Sequence, residues 1–168
     1  PYALSEQNLP ELFHQYDLLA AEYLKRHREG RGFDFFHFNV DLEHGPCLAK
    51  RLSGCGAGHE YYAVTPEGDL YPCHQFVGRD GFKVGTVFSG LDQPDLCDEF
   101  RQAHVLTKAE CRNCWARFYC SGGCHANADA FHGSIHRPYQ LGCELQKKRL
   151  ECAIAVQIGL KKIAADQN

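Results

Sequence analysis

The chain has 168 residues, of which 44% are apolar and 12% aromatic, so it is long enough for one domain with a buried core and is not a disordered tail. Its net charge of −3 and pI of about 6.4 exclude a broad basic surface, which argues against nucleic acid as a partner. We find no long apolar run and no signal-peptide pattern, so we expect no membrane span and predict a cytoplasmic location. Because the chain begins at Pro1 and lacks Met, we expect a piece of a longer protein.

The first predicted element is an amphipathic helix. Apolar side chains recur at helical spacing from Leu9 to Leu24, basic residues at 25–28 suit a helix C-terminus, and Gly30 ends the pattern. The aromatic stretch that follows, at 33–40, has the alternation of a strand.

Two short hairpins are predicted next. Apolar residues at 61–64 and 70–71 flank a Pro- and Gly-containing turn at 65–69, which is a hairpin signal. A second pair of short apolar segments, within 82–87, surrounds Gly85, where we expect the turn.

The remainder of the chain alternates between helix and irregular segments. We expect a short helix over 94–104, little regular structure over 111–143, and a C-terminal helix from Glu144 to beyond Ile163. The sequence therefore predicts a small α+β fold with one or two β-hairpins, irregular loops and a helix near each end.

Ten cysteines dominate the composition, and such a density indicates disulfides or metal sites. Without a signal peptide, disulfides are disfavoured. Four thiols crowd into fourteen residues, beginning with a C-x2-C pair, so we expect them to converge on a metal cluster. Two others, Cys97 and Cys152, lie on apolar helical stripes and are expected to be buried thiols.

Seven cysteines form one extended pattern. It reads Cys55-x12-Gly68-x4-Cys73, then Cys111-x2-Cys114-x5-Cys120-x3-Cys124, then Cys143 after eighteen residues. This pattern resembles the SPASM domain, the C-terminal extension of many radical SAM enzymes that modify peptides and proteins. Such domains typically hold two auxiliary [4Fe–4S] clusters.

The residues around the first two cysteines narrow the resemblance. The segments 54–58 and 63–76 look like those of the thioether-forming ranthipeptide maturases, with the SCIFF maturases as the nearest family. The resemblance implies three regions: a bridge from a radical SAM barrel at 1–45, the SPASM auxiliary-cluster domain at 46–146, and a C-terminal helix at 147–168.

Spacing and family together suggest which cysteines share a cluster. One cluster would be held by the four thiolates of Cys111, Cys114, Cys120 and Cys143. The other would be held by Cys55, Cys73 and Cys124, the last of which follows a Ser-Gly-Gly turn and can cross over, as the last cysteine of a compact run does in two-cluster ferredoxins.

Seven ligands leave one iron of the two clusters open. An open iron can bind a substrate thiolate, which suits a thioether-forming family, and we favour this interpretation. Cys47 is an alternative fourth ligand of that cluster, and the sequence alone does not decide between them.

The resemblance also implies which steps this region performs and which belong to the rest of the enzyme. The chain lacks the C-x3-C-x2-C motif of a radical SAM core, since after Cys120 and Cys124 the third position is Asn127. We therefore assign no catalytic residue and expect S-adenosylmethionine to be used only by the full-length enzyme, whose barrel would generate the radical. This region would bind the thiolate of a cysteine-containing precursor peptide and accept an electron.

Two other functions remain open. Eight thiols would also make two four-cysteine zinc sites of a structural or interaction module, although C-x5-C-x3-C is unlike the usual zinc knuckle. The second of these alternatives is a secreted disulfide scaffold.

Other residues near the cysteines have plainer interpretations. The ten His have no paired spacing and are expected on the surface or in hydrogen bonds. Lys108, Arg112 and Arg117 either offset thiolate charge or lie on a solvated face.

Overall fold

The computed structural model describes residues 4–45, 48 and 52–167 of the chain. Its helices and strands follow one another as α1 (Leu9–Arg28), β1 (Ala63–Val64), β2 (Asp69–Tyr71), β3 (Gly85–Thr86), β4 (Gly90–Leu91), α2 (Pro94–Gln102), α3 (Ala109–Arg112), α4 (Arg117–Cys120), α5 (His125–His132) and α6 (Gln140–Asp166). The predicted α+β class is confirmed, with helices near both ends and one small sheet. In the described ranges we find no helix that is both long and apolar enough to cross a membrane.

The chain divides into two units, one that combines residues 1–46 with 140–168 and one that comprises 47–139. The first unit is built on the packing of α1 against α6. Its buried core consists of Tyr23, Phe38, Cys152, Ala153 and Val156.

The aromatic segment at 33–40 is not the predicted strand. Residues Phe36–Phe38 form a single 3₁₀ turn. The Phe38 ring is fully buried and meets Tyr23 of α1 edge-on at 5.3 Å between ring centres, while Phe35 packs against Phe38 at 5.0 Å. Several neighbouring aromatic side chains thus pack against one another and against the helix, so the segment turns instead of alternating between two faces.

The second unit contains a four-stranded antiparallel sheet in the order β1-β2-β3-β4. Its first hairpin is the predicted one: Ala63 lies opposite Tyr71, and Gly68 occupies the turn at a φ of 89°. The second hairpin differs from the prediction, because Gly85 is a strand residue paired with Leu91 and the connection lies at 87–89.

Gly85 is required by the close approach of two strands. A Cβ atom at this position would lie 2.1 Å from the carbonyl oxygen of Gly90, whereas a Cβ at Gly90 would have no heavy atom within 4 Å. Both residues have positive φ angles, of 146° and 81°. The glycine that the sequence marked as a turn therefore serves strand packing.

We expect Gly85→Ala to lower the opening free energy of the sheet by about 3 kcal/mol, because strand displacement adds to backbone strain. Gly90→Ala is the matched control and should cost only about 1 kcal/mol. Native-state hydrogen exchange at the amides of Val84 and Val87, which bond Leu70 and Gly68 across the sheet, measures both. Equal losses in the two variants would contradict the steric argument.

The segment predicted to be irregular contains three short helices, α3, α4 and α5. They are separated by tight turns, and Ser121, Gly122 and Gly123 follow α4 with φ angles of 62°, 83° and 74°. The C-terminal helix also differs from the prediction, since α6 begins at Gln140 and includes Cys143 in its first turn.

Candidate metal centre

Three cysteines of the second unit, here called the Cys73 group, lie close together: Cys55, Cys73 and Cys124. Burial raises the pKa of the Cys73 thiol, and the neighbouring thiols of Cys124 and Cys55 raise it further. Cys73 is buried, whereas Cys55 and Cys124 are exposed. One thiol of the group is therefore buried, and the other two are accessible to solvent.

The hairpin determines where Cys73 lies. Cys73 follows Pro72 at the end of β2 and precedes the 3₁₀ turn His74–Phe76. The backbone amides of Gln75 and Phe76 hydrogen-bond its sulfur and oppose the rise in its pKa. The carbonyl of Pro72 accepts a hydrogen bond of 3.0 Å from the amide of Gly58, which ties this turn to the segment that carries Cys55.

Tyr61 is a residue of this group that the sequence analysis did not identify as functional. Its hydroxyl donates to the Cys55 sulfur at 3.9 Å. Burial and this contact with Cys55 raise the pKa of Tyr61. The phenol is therefore protonated at neutral pH and can donate a hydrogen bond to sulfur. In the sequence, Tyr61 had only the pattern of an apolar strand residue beside the hairpin, which does not indicate this role.

Three further cysteines, here called the Cys111 group, lie around α3 and α4: Cys111, Cys114 and Cys120. The amide of Cys114 donates to the carbonyl of Cys111 at 3.0 Å, so the C-x2-C pair forms a tight turn. Burial raises the pKa of the Cys111 thiol, Lys108 opposes this rise, and the thiols of Cys120 and Cys114 add to it. The three thiols are thus electrostatic neighbours.

The turn after α4 directs backbone donors at one of these sulfurs. Burial raises the pKa of Cys120, while hydrogen bonds from the amides of Gly122 and Gly123 lower it. The same turn leads to Cys124, which contributes to the Cys73 group. Three residues therefore separate Cys120 of one group from Cys124 of the other.

Two predicted ligands belong to neither group, Cys143 and the alternative ligand Cys47. Cys143 is half-buried on α6 and belongs to the first unit. Cys47 lies outside the described residues. The cysteines described in the second unit, Cys97 included, are free thiols, so they give no support to a disulfide scaffold.

Cys97 and Cys152 are buried, as predicted for thiols on helical stripes. Burial raises the pKa of Cys152 to about 11, which keeps it protonated and unreactive at neutral pH. The Tyr62 hydroxyl donates to the sulfur of Cys97 at 3.7 Å. Both cysteines are explained by packing.

One histidine, His125, is a buried hydrogen-bonding residue, which is one of the two roles expected for the histidines. His125 is buried, its Nε2 lies 2.9 Å from the carbonyl oxygen of Ala103, and its Nδ1 has no hydrogen-bond partner. Burial, with a smaller contribution from Lys108, lowers its pKa to about 4. The ring is therefore neutral at physiological pH and packs edge-on against Phe100.

The donor set suits an iron–sulfur cluster. Among the described residues no group of three or more His, Cys, Asp or Glu side chains could hold a metal ion. Neighbouring thiols with backbone amides directed at their sulfurs are the kind of environment that binds and tunes such a cluster.

Comparison with known proteins relates the chain to a maturase. No family model matches it. It is 37% identical over 102 residues to an uncharacterized protein of Archaeoglobus fulgidus, which covers 58% of this chain and 24% of that protein. It is 36% identical over 115 residues to the mycofactocin maturase MftC of Mycobacterium ulcerans, covering 66% of this chain and 30% of the maturase.

The chain thus spans less than a third of the length of either relative. It is a partial homologue of a maturase, and this supports the relation to radical SAM maturases that the cysteine pattern indicated.

Proposed function

We propose that this chain is the auxiliary-cluster domain, of the SPASM type, of a radical SAM enzyme that modifies a ribosomally made peptide in the cytoplasm. The observation that carries the proposal is the separation of six thiols into the Cys73 group and the Cys111 group, joined by one tight turn. The partial homology to a maturase supports the same class of enzyme.

Each group would hold one [4Fe–4S] cluster. Cys111, Cys114 and Cys120 would be completed by Cys143, and Cys55, Cys73 and Cys124 would leave one iron open or use Cys47. When bound, such clusters accept single electrons and can hold a thiolate. The barrel that uses S-adenosylmethionine would belong to the rest of the full-length enzyme, so the chain alone is not expected to be catalytic.

The exposure of the Cys73 group favours a role in substrate binding. Cys55 and Cys124 are exposed, so the sulfur of a peptide cysteine can reach them from solvent. A free cysteine, with a pKa of about 8.5, is mostly protonated at neutral pH and gains nucleophilicity when held as a thiolate. We therefore propose that the product is a thioether between a cysteine sulfur and a carbon of the same precursor peptide.

The experiment that tests the proposal is metal analysis of the anaerobically purified 168-residue chain. We expect about eight iron and eight acid-labile sulfides per chain, as two [4Fe–4S] clusters require, with a brown colour and broad absorption near about 400 nm. About two zinc ions and no sulfide would instead establish the structural zinc module.

An open iron in the Cys73 group predicts a response to a thiol ligand. A short peptide with one cysteine should change the electron paramagnetic resonance spectrum of one reduced cluster, because its sulfur binds the iron. The same peptide with serine in place of cysteine is the control and should leave the spectrum unchanged.

The alternative with Cys47 as fourth ligand makes the opposite prediction. In that case the cysteine peptide leaves the electron paramagnetic resonance spectrum of wild type unchanged, and it changes the spectrum of Cys47→Ala. This result would decide against the open site while leaving the two-cluster proposal intact.

A further inference from the structure

Lys108 is a buried cation beside the Cys111 group. Its side chain is only 1% exposed, although lysine is almost never buried without a partner. Its Nζ donates to the carbonyl of Gly122 at 3.1 Å. The solvated-face interpretation of this lysine is therefore wrong, and its burial needs a physical reason.

The position of Lys108 links the two parts of the chain that carry the Cys111 group. Its backbone carbonyl accepts a hydrogen bond of 3.0 Å from the amide of Cys111. Its ammonium holds the carbonyl of Gly122, whose own amide is directed at the sulfur of Cys120. The side chain thus closes the turn while bringing a positive charge close to both thiols.

Electrostatics at the thiols agree with this geometry. The Lys108 ammonium interacts electrostatically with both Cys111 and Cys120. The charged groups that act on Cys73 are instead the thiols of its own group, Cys124 and Cys55. We expect the charge to act mainly on one group.

We propose that Lys108 is a positioning residue that raises the reduction potential of the cluster held by the Cys111 group. The inference rests on the proposed function, because it requires that the group hold a cluster. Reduction adds one electron, supplied by dithionite in the test below, and leaves the site with one more negative charge. A buried ammonium stabilises that charge more than it stabilises the oxidised state.

The test compares charge-free and charged replacements in the iron-loaded 168-residue chain. Lys108→Gln keeps a donor for the Gly122 carbonyl, Lys108→Met keeps the length, and Lys108→Arg keeps the charge. Lys83→Met is the matched control, since Lys83 is an exposed lysine of the same unit that pairs with Asp69 at 2.6 Å. Iron content and both midpoint potentials are measured by redox titration followed by electron paramagnetic resonance.

With full iron content, Lys108→Gln or Lys108→Met should disfavour reduction of one cluster by tenfold or more, which is about 59 mV for one electron. In these charge-free variants the potential of the other cluster should be unchanged. In Lys108→Arg and Lys83→Met both potentials should equal those of wild type. Two unchanged potentials in a charge-free variant that retains its iron would overturn the inference.

The remaining outcomes are also decisive. If both charge-free variants lose half of the iron while Lys108→Arg keeps its iron and its potential, the charge itself is needed at this cluster, which supports the inference. If Lys108→Arg also loses iron, the role is one of packing and the inference fails. Wild type without iron would refute the proposed function before Lys108 is tested.

Discussion

Replacing Cys114 by Ala is expected to remove about half of the bound iron, because in the proposed assignment only one of the two four-iron clusters depends on that thiolate. Cys73→Ala should remove the other half. The two variants should retain different clusters, since Cys73 and Cys114 belong to groups with separate thiol neighbours. Anaerobic iron and sulfide counts measure the loss.

Electron paramagnetic resonance identifies the cluster that remains in each variant. The combined replacement of Cys73 and Cys114 should leave almost no iron. Cys97→Ala is the matched control, since it removes a buried thiol that contacts Tyr62 and belongs to neither group. Full iron content in Cys114→Ala, or a loss in Cys97→Ala equal to that in Cys114→Ala, would refute the ligand assignment.

Removal of the iron is expected to unfold the cluster-binding segment at 106–143 while the helix pair of the first unit persists. The buried apolar side chains of that segment are few: besides Cys111 they are Ala116, Ala126 and Ala128, with Ile135, Pro138 and Leu141 as the larger ones. Such a segment buries too little apolar surface to offset its conformational entropy, so under the proposed function thiolate–iron bonds would supply much of its order.

Hydrogen exchange with and without iron measures this effect. The amide of Ala128, which bonds the carbonyl of Cys124 at 3.0 Å, should exchange at least about tenfold faster in the apo protein. Amides within α1 provide the internal control, because Tyr23 packs there in a core of its own. Equal protection of Ala128 in the two states would show that the segment folds without metal.

Local sequence patterns were sufficient for several parts of the fold. The apolar periodicity from Leu9 to Leu24 predicted α1 and its end before Gly30, and the turn at 65–69 predicted the first hairpin. These features depend on residues within one or two turns of chain, so the sequence carries their signals directly. The buried state of Cys97 and Cys152 followed from the same helical spacing.

The spacing of the cysteines in the sequence also predicted which thiols form the candidate site. Cys111, Cys114 and Cys120 lie within ten residues, and their proximity in the structure follows from the short chain between them. The assignment of all seven cysteines to clusters remains a prediction, and Cys143 and the alternative ligand Cys47 are, in addition, not placed by local spacing.

Only the tertiary structure decided the features that depend on distant partners. The aromatic segment at 33–40 has a strand-like pattern, yet it turns because α1 offers one apolar surface to several of its rings. Gly85 carries a turn signal but lies in a strand, because Gly90 of the neighbouring strand approaches it too closely for a side chain. For Lys108 the sequence left open whether the side chain offsets thiolate charge or lies on a solvated face, and its burial depends on the turn at Gly122 that folds over it. Periodicity and turn chemistry are local properties, whereas burial is a property of what the rest of the chain places nearby.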